Sequence, residues 1–248
     1  LTHLATVPVL ALDIPLTGED ISQRDRISYG GTVPLSHSAS EGHSVIVADG
    51  DIVRVNDVVI VGGGPAGLTA ALFTQKNGLE ATVLDTDGTW MNKAHLFNYP
   101  GIGSIDGSAY METLRQQVDS FGVERLQGTE ATDVEQTDEG FRVVTDENDV
   151  EGRYLVLATG ANRDLAESLG CTFDDDVVDV DVTMETSVDG AYATGAMVRV
   201  EEWQAVISAG DGAAAALNIL SEEKGEHYHD FDVPSDADAV FGGMTDEE

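Results

Sequence analysis

The sequence contains a single cysteine, Cys171, which excludes an intramolecular disulfide of either the structural or the redox-active kind. Positive charge is almost as scarce. There are 12 Lys plus Arg against 46 Asp plus Glu, a formal net charge of −34, and the only lysines are Lys76, Lys93 and Lys224. A chain this poor in cations cannot build the basic surface that phosphate backbones require, which argues against nucleic acid as a partner. No apolar run approaches the roughly 20 residues needed to span a bilayer. The early stretch LATVPVLAL is apolar, but no Lys or Arg precedes it as in a secretory signal. The expectation is a soluble, cytoplasmic protein with no membrane partner.

What is present is a core and an excess of carboxylates. A hydrophobic fraction of 42% is ordinary for a globular protein, and 248 residues suffice for one good-sized domain or two small ones. Self-repulsion at −34 destabilises a compact state in dilute buffer. It is tolerable in concentrated salt, where the Debye length falls to roughly 3 Å at 1 M. The acidity therefore reads first as salt adaptation. The rival reading, an acidic face for a basic partner, fits less well because the carboxylates are spread along the chain rather than blocked.

Six of the acidic residues fall in the first 50 positions, which otherwise show Pro, Ser and Gly scatter (SYGGTVPLSHSASEGHS) and little periodicity. Residues 1–52 are expected to be a loosely ordered extension or sequence upstream of a true start near Val53. Residues 53–230 are expected to form the functional domain, and residues 231–248 a disordered acidic tail. From Asp57 the pattern is regular. DVVIVG reads as a buried parallel strand, PAGLTAALFTQKNG as a helix with Pro65 in its first turn, and EATVLDTD as a second strand. DGSAYMETLRQQVDSFG reads as an amphipathic helix with Ala109, Leu114, Val118 and Phe121 on its apolar face. Strands are expected at ATDVEQT, GFRVVTD and RYLVLATG, a strand and turn at GAYATGAM, and a last helix at GDGAAAALNILSEEKG.

Gly62, Gly64 and Gly67 form G-x-G-x-x-G between the first strand and helix. Gly62 permits the tight turn, Gly64 lets backbone approach a pyrophosphate, and Gly67 allows close helix–strand packing. The helix N-terminus then offers free N–H groups and partial positive charge to phosphates. Asp85 ends the second strand, 18 residues beyond Gly67, where an acid takes ribose hydroxyls and disfavours a 2′-phosphate. The bound dinucleotide is then FAD or NAD. GIGSIDG (Gly101 to Gly107) has the wrong spacing and no preceding strand, so it is discounted as a phosphate loop.

Four later motifs decide between these cofactors: DGTWMNKAHLFNYPG (Asp87 to Gly101), YLVLATGA (Tyr154 to Ala161), TSVDGAYATGAM (Thr186 to Met197) and EWQAVISAGDGAAAALNI (Glu202 to Ile219). In this order, with the opening turn, they resemble the FAD-binding half of the thioredoxin-reductase-like flavoproteins, over roughly Val55 to Ser221. The resemblance implies an α/β fold, a three-layer Rossmann-like FAD/NAD(P)-binding domain with a parallel sheet, bound FAD and a homodimer. It places Gly62, Gly64, Pro65, Ala66 and Gly67 at the pyrophosphate and Asp85 at the adenosine ribose. Asn98 and Gln204 fall beside the flavin, Thr159 and Gly160 at the turn over the cofactor, and Gly212 and Ala213 in the first turns of a helix aimed at the pyrimidine edge. Such a helix stabilises negative charge on the reduced ring.

The sequence also departs from that family. About 25 residues separate Gly160 from Thr186, where the family inserts a pyridine-nucleotide domain carrying its C-x-x-C pair. Gly195-Ala196 stand where the family reads Gly-Asp beside the ribityl or phosphate region. Trp203 replaces an Arg, and Thr89 a Gln. Trp90, Lys93 and His95, in the loop before NYPG, are the weak catalytic candidates. His95 either relays a proton or is satisfied locally. Lys93 pairs either with an anionic ligand or with a neighbouring carboxylate. Trp203 either stacks on the ring or packs as an ordinary aromatic. Cys171 has no neighbour to activate it and reads as structural. His227 and His229 would share one side of a strand, but no further ligand completes a metal site. The resulting expectation is a single-domain FAD-dependent oxidoreductase reduced by an external donor: NAD(P)H, a ferredoxin-like protein or a partner subunit. The alternative is a non-catalytic FAD-binding module that assembles with a partner.

Overall fold

Residues 44–48 and 51–232 are described by a computed structural model of the chain. In order they form β1 (Ser44–Ala48), β2 (Asp51–Val61), α1 (Pro65–Lys76), β3 (Ala81–Asp85), α2 (Gly107–Ser120) and β4 (Glu124–Gln127). Then follow β5 (Ala131–Thr137), β6 (Gly140–Thr145), β7 (Val150–Leu157), α3 (Asp164–Leu169), β8 (Ala191–Ala193) and α4 (Ala205–Lys224). One sheet takes in these eight strands, in the order β4-β3-β2-β7-β6-β5, with β1 on β2 and β8 on β7. Two short strand pairs, His95–Leu96 with Ile105–Asp106 and Phe173–Asp174 with Val177–Val178, lie outside it. The pairs β4/β3, β3/β2, β2/β7 and β7/β8 are parallel, whereas β1/β2, β6/β7 and β5/β6 are antiparallel.

The central strands of the sheet are buried on both faces, which explains why DVVIVG is apolar without alternation. Val58, Ile60, Val83 and Val156 point to one side, against Leu68 and Ala71 of α1, Met111 and Leu114 of α2, and Ala216 and Ile219 of α4. Val59, Val61, Leu84, Leu155 and Leu157 point to the other, against Phe141 and Val143 of β6, Leu165 of α3 and Met197. Each large side chain so buried contributes about 1.5–3 kcal/mol. The result is the expected three-layer α/β fold with a mostly parallel sheet.

Three details differ from expectation. The buried face of α2 is Tyr110, Met111, Leu114 and Val118, while Ala109 is exposed and Phe121 is the half-exposed C-cap. Tyr110, Leu114 and Val118 keep helical spacing; Ala109 falls off that stripe, and Phe121 continues it but lies beyond the last helical residue, Ser120. The last helix starts at Ala205, ahead of the expected Gly210, because the small residues up to Ala216 continue one helix. β4 and α3 are additional to the expected elements. β4 (ERLQ) is an edge strand rich in polar residues, its Arg125 held by Asp119 at 2.6 Å, and α3 is only six residues long.

Strand pairing includes Ser44–Ala48, ahead of the expected domain boundary at residue 53. The rest of the expected extension lies almost wholly outside the described residues. Of the expected tail only Phe231 and Asp232 are described, with Asp230 and Asp232 holding Lys76 at 2.7 and 2.6 Å. No helix among the described residues is long and apolar enough to cross a membrane.

Candidate functional site

The C-terminal ends of β2, β3, β7 and β8 open on one cavity of about 710 Å³, where ligands of open parallel sheets bind. Small residues bring two helix starts to it. On α1, Ala66 lies under α4 so closely that a Cβ on Gly212 would stand 2.1 Å from the Ala66 carbonyl oxygen. Neither Gly64 before α1 nor Gln204 before α4 caps its helix with a side chain. Their first-turn N–H groups are thus left for whatever fills the cavity. Among the described residues no Lys or Arg lines it; the charged residues in its wall are Asp85, Glu130 and Asp164. Phosphates placed here must be met by backbone N–H groups, and the Gly-rich turn supplies them.

That turn has no spare room on its protein side. Gly62 has φ +117, and a Cβ there would lie 2.2 Å from the Ala158 carbonyl oxygen. A Cβ on Gly67 would lie 1.9 Å from the Gly62 carbonyl oxygen. Gly64 differs: among the described residues only Thr89 Oγ1, at 3.7 Å, approaches its Cβ position, so this face is bare toward the cavity.

Of the residues singled out from sequence, Gly62, Gly64, Pro65, Ala66, Asp85, Trp90, Thr159, Gly160, Gly195, Ala196, Trp203 and Gln204 line this one cavity. Gly67, Gly212 and Ala213 do not; Gly67 and Gly212 serve the close approach of backbone to backbone that shapes it. Asn98 stands just behind, its Nδ2 donating to Gln204 Oε1 at 2.6 Å. Trp90 and Trp203 meet at the mouth with centroids 5.3 Å apart, and the Trp203 indole N–H donates to the Arg199 carbonyl. His95 is outside the lining: its ring shares a hydrogen bond with Ser104 Oγ at 3.0 Å and stacks on Phe97, the local satisfaction that a loop histidine finds. Lys93 is exposed and forms no ion pair among the described residues. His227 and His229 lie in an irregular segment rather than on a strand, His229 against Phe231.

Several supports carry no signal in the sequence. Arg163 donates from Nε, Nη1 and Nη2 to the carbonyls of Met197, Ala161 and Ala196, tying the Thr159–Gly160 turn to the Gly195–Ala196 turn. Arg199 is held by the buried Asp211 of α4 at 2.6 Å. No local pattern marks either arginine, because their partners are distant in sequence. Asp211→Ala leaves Arg199 unpaired against α4 and is expected to cost about 1–3 kcal/mol of stability, read as a lower urea midpoint at unchanged slope.

Cys171 is buried, and that burial pushes its thiol above the ordinary range. Its reaction with a thiol reagent at about pH 7.5, below the ordinary thiol range, should be slow in native protein and complete on unfolding. Rapid native labelling would instead mark it as an accessible nucleophile.

A family model described as pyridine nucleotide-disulphide oxidoreductase matches the chain in two overlapping stretches, residues 56–161 and 105–210. The chain is 35% identical over 108 residues to a subunit of the alkyl hydroperoxide reductase of Staphylococcus aureus, covering 42% of this chain and 21% of that protein. It is 30% identical over 145 residues to a thioredoxin reductase of Listeria monocytogenes, covering 56% and 43%. It thus spans less than half the length of these curated relatives. Among solved structures, a thioredoxin reductase from Gloeobacter violaceus superposes with TM-score 0.66 at 22% identity, covering 72% of this chain and 99% of that one. A ferredoxin-flavin thioredoxin reductase from Clostridium acetobutylicum does so with TM-score 0.61 at 18% identity, covering 69% and 99%. At these identities the likeness is one of fold.

Proposed function

The chain belongs to the pyridine nucleotide-disulphide oxidoreductase family, and from that premise we propose that it is a single-domain FAD-dependent oxidoreductase whose flavin is reduced by an external donor. The observation that carries this reading is the convergence on one cavity of an uncapped α1, a bare Gly64, the Asp85 carboxylate and the Gln204 start of α4. A dinucleotide fits that donor set. The Gly62–Ala66 turn would hold the pyrophosphate and Asp85 the adenosine ribose. Thr159, Gly160 and Gln204 would hold the ring, with Asn98 fixing the Gln204 amide. FAD supplies the redox chemistry, taking up electrons from a donor and passing them to an acceptor. The protein's part is to bind it, to offer the α4 N-terminus to negative charge, and to screen one end with Trp90 and Trp203.

Between Gly160 and Thr186 the chain has room only for α3 and a short strand pair, Phe173–Asp174 with Val177–Val178. No nicotinamide-binding domain occupies that position, and Cys171 has no second thiol. The donor is therefore a diffusing NAD(P)H, a ferredoxin-like protein or a partner subunit. Ala196, in place of an Asp, favours the second reading, a non-catalytic FAD module that assembles with a partner.

The test is the visible spectrum of protein purified in molar salt, with the released cofactor identified by chromatography, followed by anaerobic addition of NADH, NADPH and reduced ferredoxin. Bound FAD that is bleached by one of these and reoxidised by an acceptor supports the enzyme. FAD bound near one per chain that none of them reduces supports the module. A colourless protein that takes up no added FAD overturns both.

A further inference from the structure

Under the Asp85 end of the cavity, α2 inserts one guanidinium between two carboxylates. Arg115 Nη2 donates to Asp87 Oδ1 at 2.5 Å and lies 3.4 Å from Asp85 Oδ2. Its side chain is 15% exposed, and its Nε is buried without a partner. A cation desolvated to this degree is held by its charge partners, not by solvent. Asp85 is more buried still, at 3%. One of its oxygens accepts the Asp87 N–H at 2.7 Å, and its Cγ sits 2.1 Å from where a Cβ on Gly63 would stand. The carboxylate is thus packed directly against the Gly-rich turn. Asp87 has a left-handed φ of 58 and takes Asn92 Nδ2 on both its carbonyl and its carboxylate. Arg115, with Asn92, holds Asp87 below the ordinary carboxylate range.

We propose that Arg115 is a positioning residue for the ribose-binding carboxylate. It balances the charge of Asp85, keeps it aimed and pins the Asp87 turn, so that affinity for the adenosine half of the cofactor depends on α2 as well as on the Gly-rich loop. The proposal rests on the reading that Asp85 meets the ribose of bound FAD.

Other charges near Asp85 do not replace this cation. Arg125 of β4 acts on Asp85 through space, but its guanidinium is committed to Asp119 at 2.6 and 2.8 Å and to Gln127 at 2.9 Å. Glu130, in the wall of the same cavity, is of the wrong sign, and α1 carries no charge at this end.

A purely structural ion pair that docks α2 is the competing account, and FAD affinity against pH separates the two. Full-chain apoprotein is titrated with FAD in molar KCl from about pH 5 to about pH 8, following flavin fluorescence, with each variant's melt recorded in the same buffers. Arg115→Gln is expected to weaken binding about tenfold at neutral pH, the loss of one charge-assisted contact. Its affinity should fall further as pH drops, because a buried carboxylate without its cation protonates more readily. Asp85→Asn should lose affinity without that pH dependence, and the double variant should be no worse than Asp85→Asn alone. Arg115→Lys, the gentlest change to the fold, should keep the native pH profile.

Additive losses, or an Arg115→Gln profile parallel to the native one, would assign Arg115 to holding α2 and overturn the proposal. So would a normally melting Arg115→Lys that binds as poorly as Asp85→Asn. Native protein that binds no FAD overturns the cofactor reading itself, an outcome distinct from all of these.

Discussion

Gly64→Val should lower FAD affinity by about 100-fold or more, roughly 2.7 kcal/mol, while the melting midpoint of the apoprotein stays within a few degrees of native. The two effects separate because of where Gly64 stands. Its φ of −83 and ψ of −175 are open to any residue, and among the described residues no atom lies closer than 3.7 Å to its Cβ position. A valine there costs the fold little and projects methyl groups to where a pyrophosphate must meet backbone N–H groups. Gly67→Ala is the counterpart. Its methyl would stand 1.9 Å from the Gly62 carbonyl oxygen and 3.1 Å from Ile60 Cγ2, so the turn itself must move. The expected cost is on the order of 2–4 kcal/mol of stability, with FAD lost together with the fold. Flavin fluorescence titrations beside circular dichroism melts measure both. A Gly64→Val protein that binds FAD as tightly as the native chain would place the phosphates elsewhere.

Raising KCl from about 0.1 M to about 3 M should lift the melting midpoint by roughly 10 °C, about 3 kcal/mol for a domain of this size. The cause is the charge of −34, whose mutual repulsion acts over about 10 Å at the lower salt and less than about 3 Å at the higher. Acid does not substitute for salt. Asp87 and Asp119 are held below the ordinary carboxylate range, by the hydrogen bonds from Arg115 and from Arg125 respectively. Folded pKa values below the unfolded one mean that their stabilisation is complete above about pH 4 and is lost as pH falls through the folded values. A midpoint unmoved by salt would shift the explanation of the acidity to a face for a basic partner.

The Gly-rich turn is legible in the sequence because its constraints are local. A strand too apolar to alternate, three glycines at fixed spacing and a proline in the first helical turn are all close neighbours in the chain, and so is the acid that ends the next strand. For the same reason β2, α1 and β3 fall where the pattern places them. Asn98 and Gln204 come from the resemblance to a family, and their contact cannot be read from a separation of 106 residues.

What the local pattern does not carry is the choice of partner. The buried face of α2 keeps the expected Leu114 and Val118 but takes Tyr110 and Met111 in place of Ala109, while Phe121 continues the stripe past the helix end. Only docking on the sheet shows which stripe is buried. The polar β4 gives no strand signal because an edge strand need not be apolar. The sequence leaves His95 as either a proton relay or a locally satisfied loop histidine, and the choice of Ser104 and Phe97 as its neighbours comes from the fold. Arg115, Arg163 and Arg199 carry no motif; each matters through a carboxylate or carbonyl that chain folding brings to it.

By itself the sequence determined the Rossmann-like architecture, the glycine turn and the acid that ends the next strand, since steric and hydrophobic patterning act over a few residues. The tertiary structure alone decided that the start of α4, the Thr159 and Gly195 turns and the two tryptophans share one cavity with that turn. It also decided that Arg115 of α2 reaches the Asp85 carboxylate. Those juxtapositions depend on how closely helices seat on one another, through Gly212 against Ala66, and that distance is set by packing across the whole domain rather than by any local run of residues.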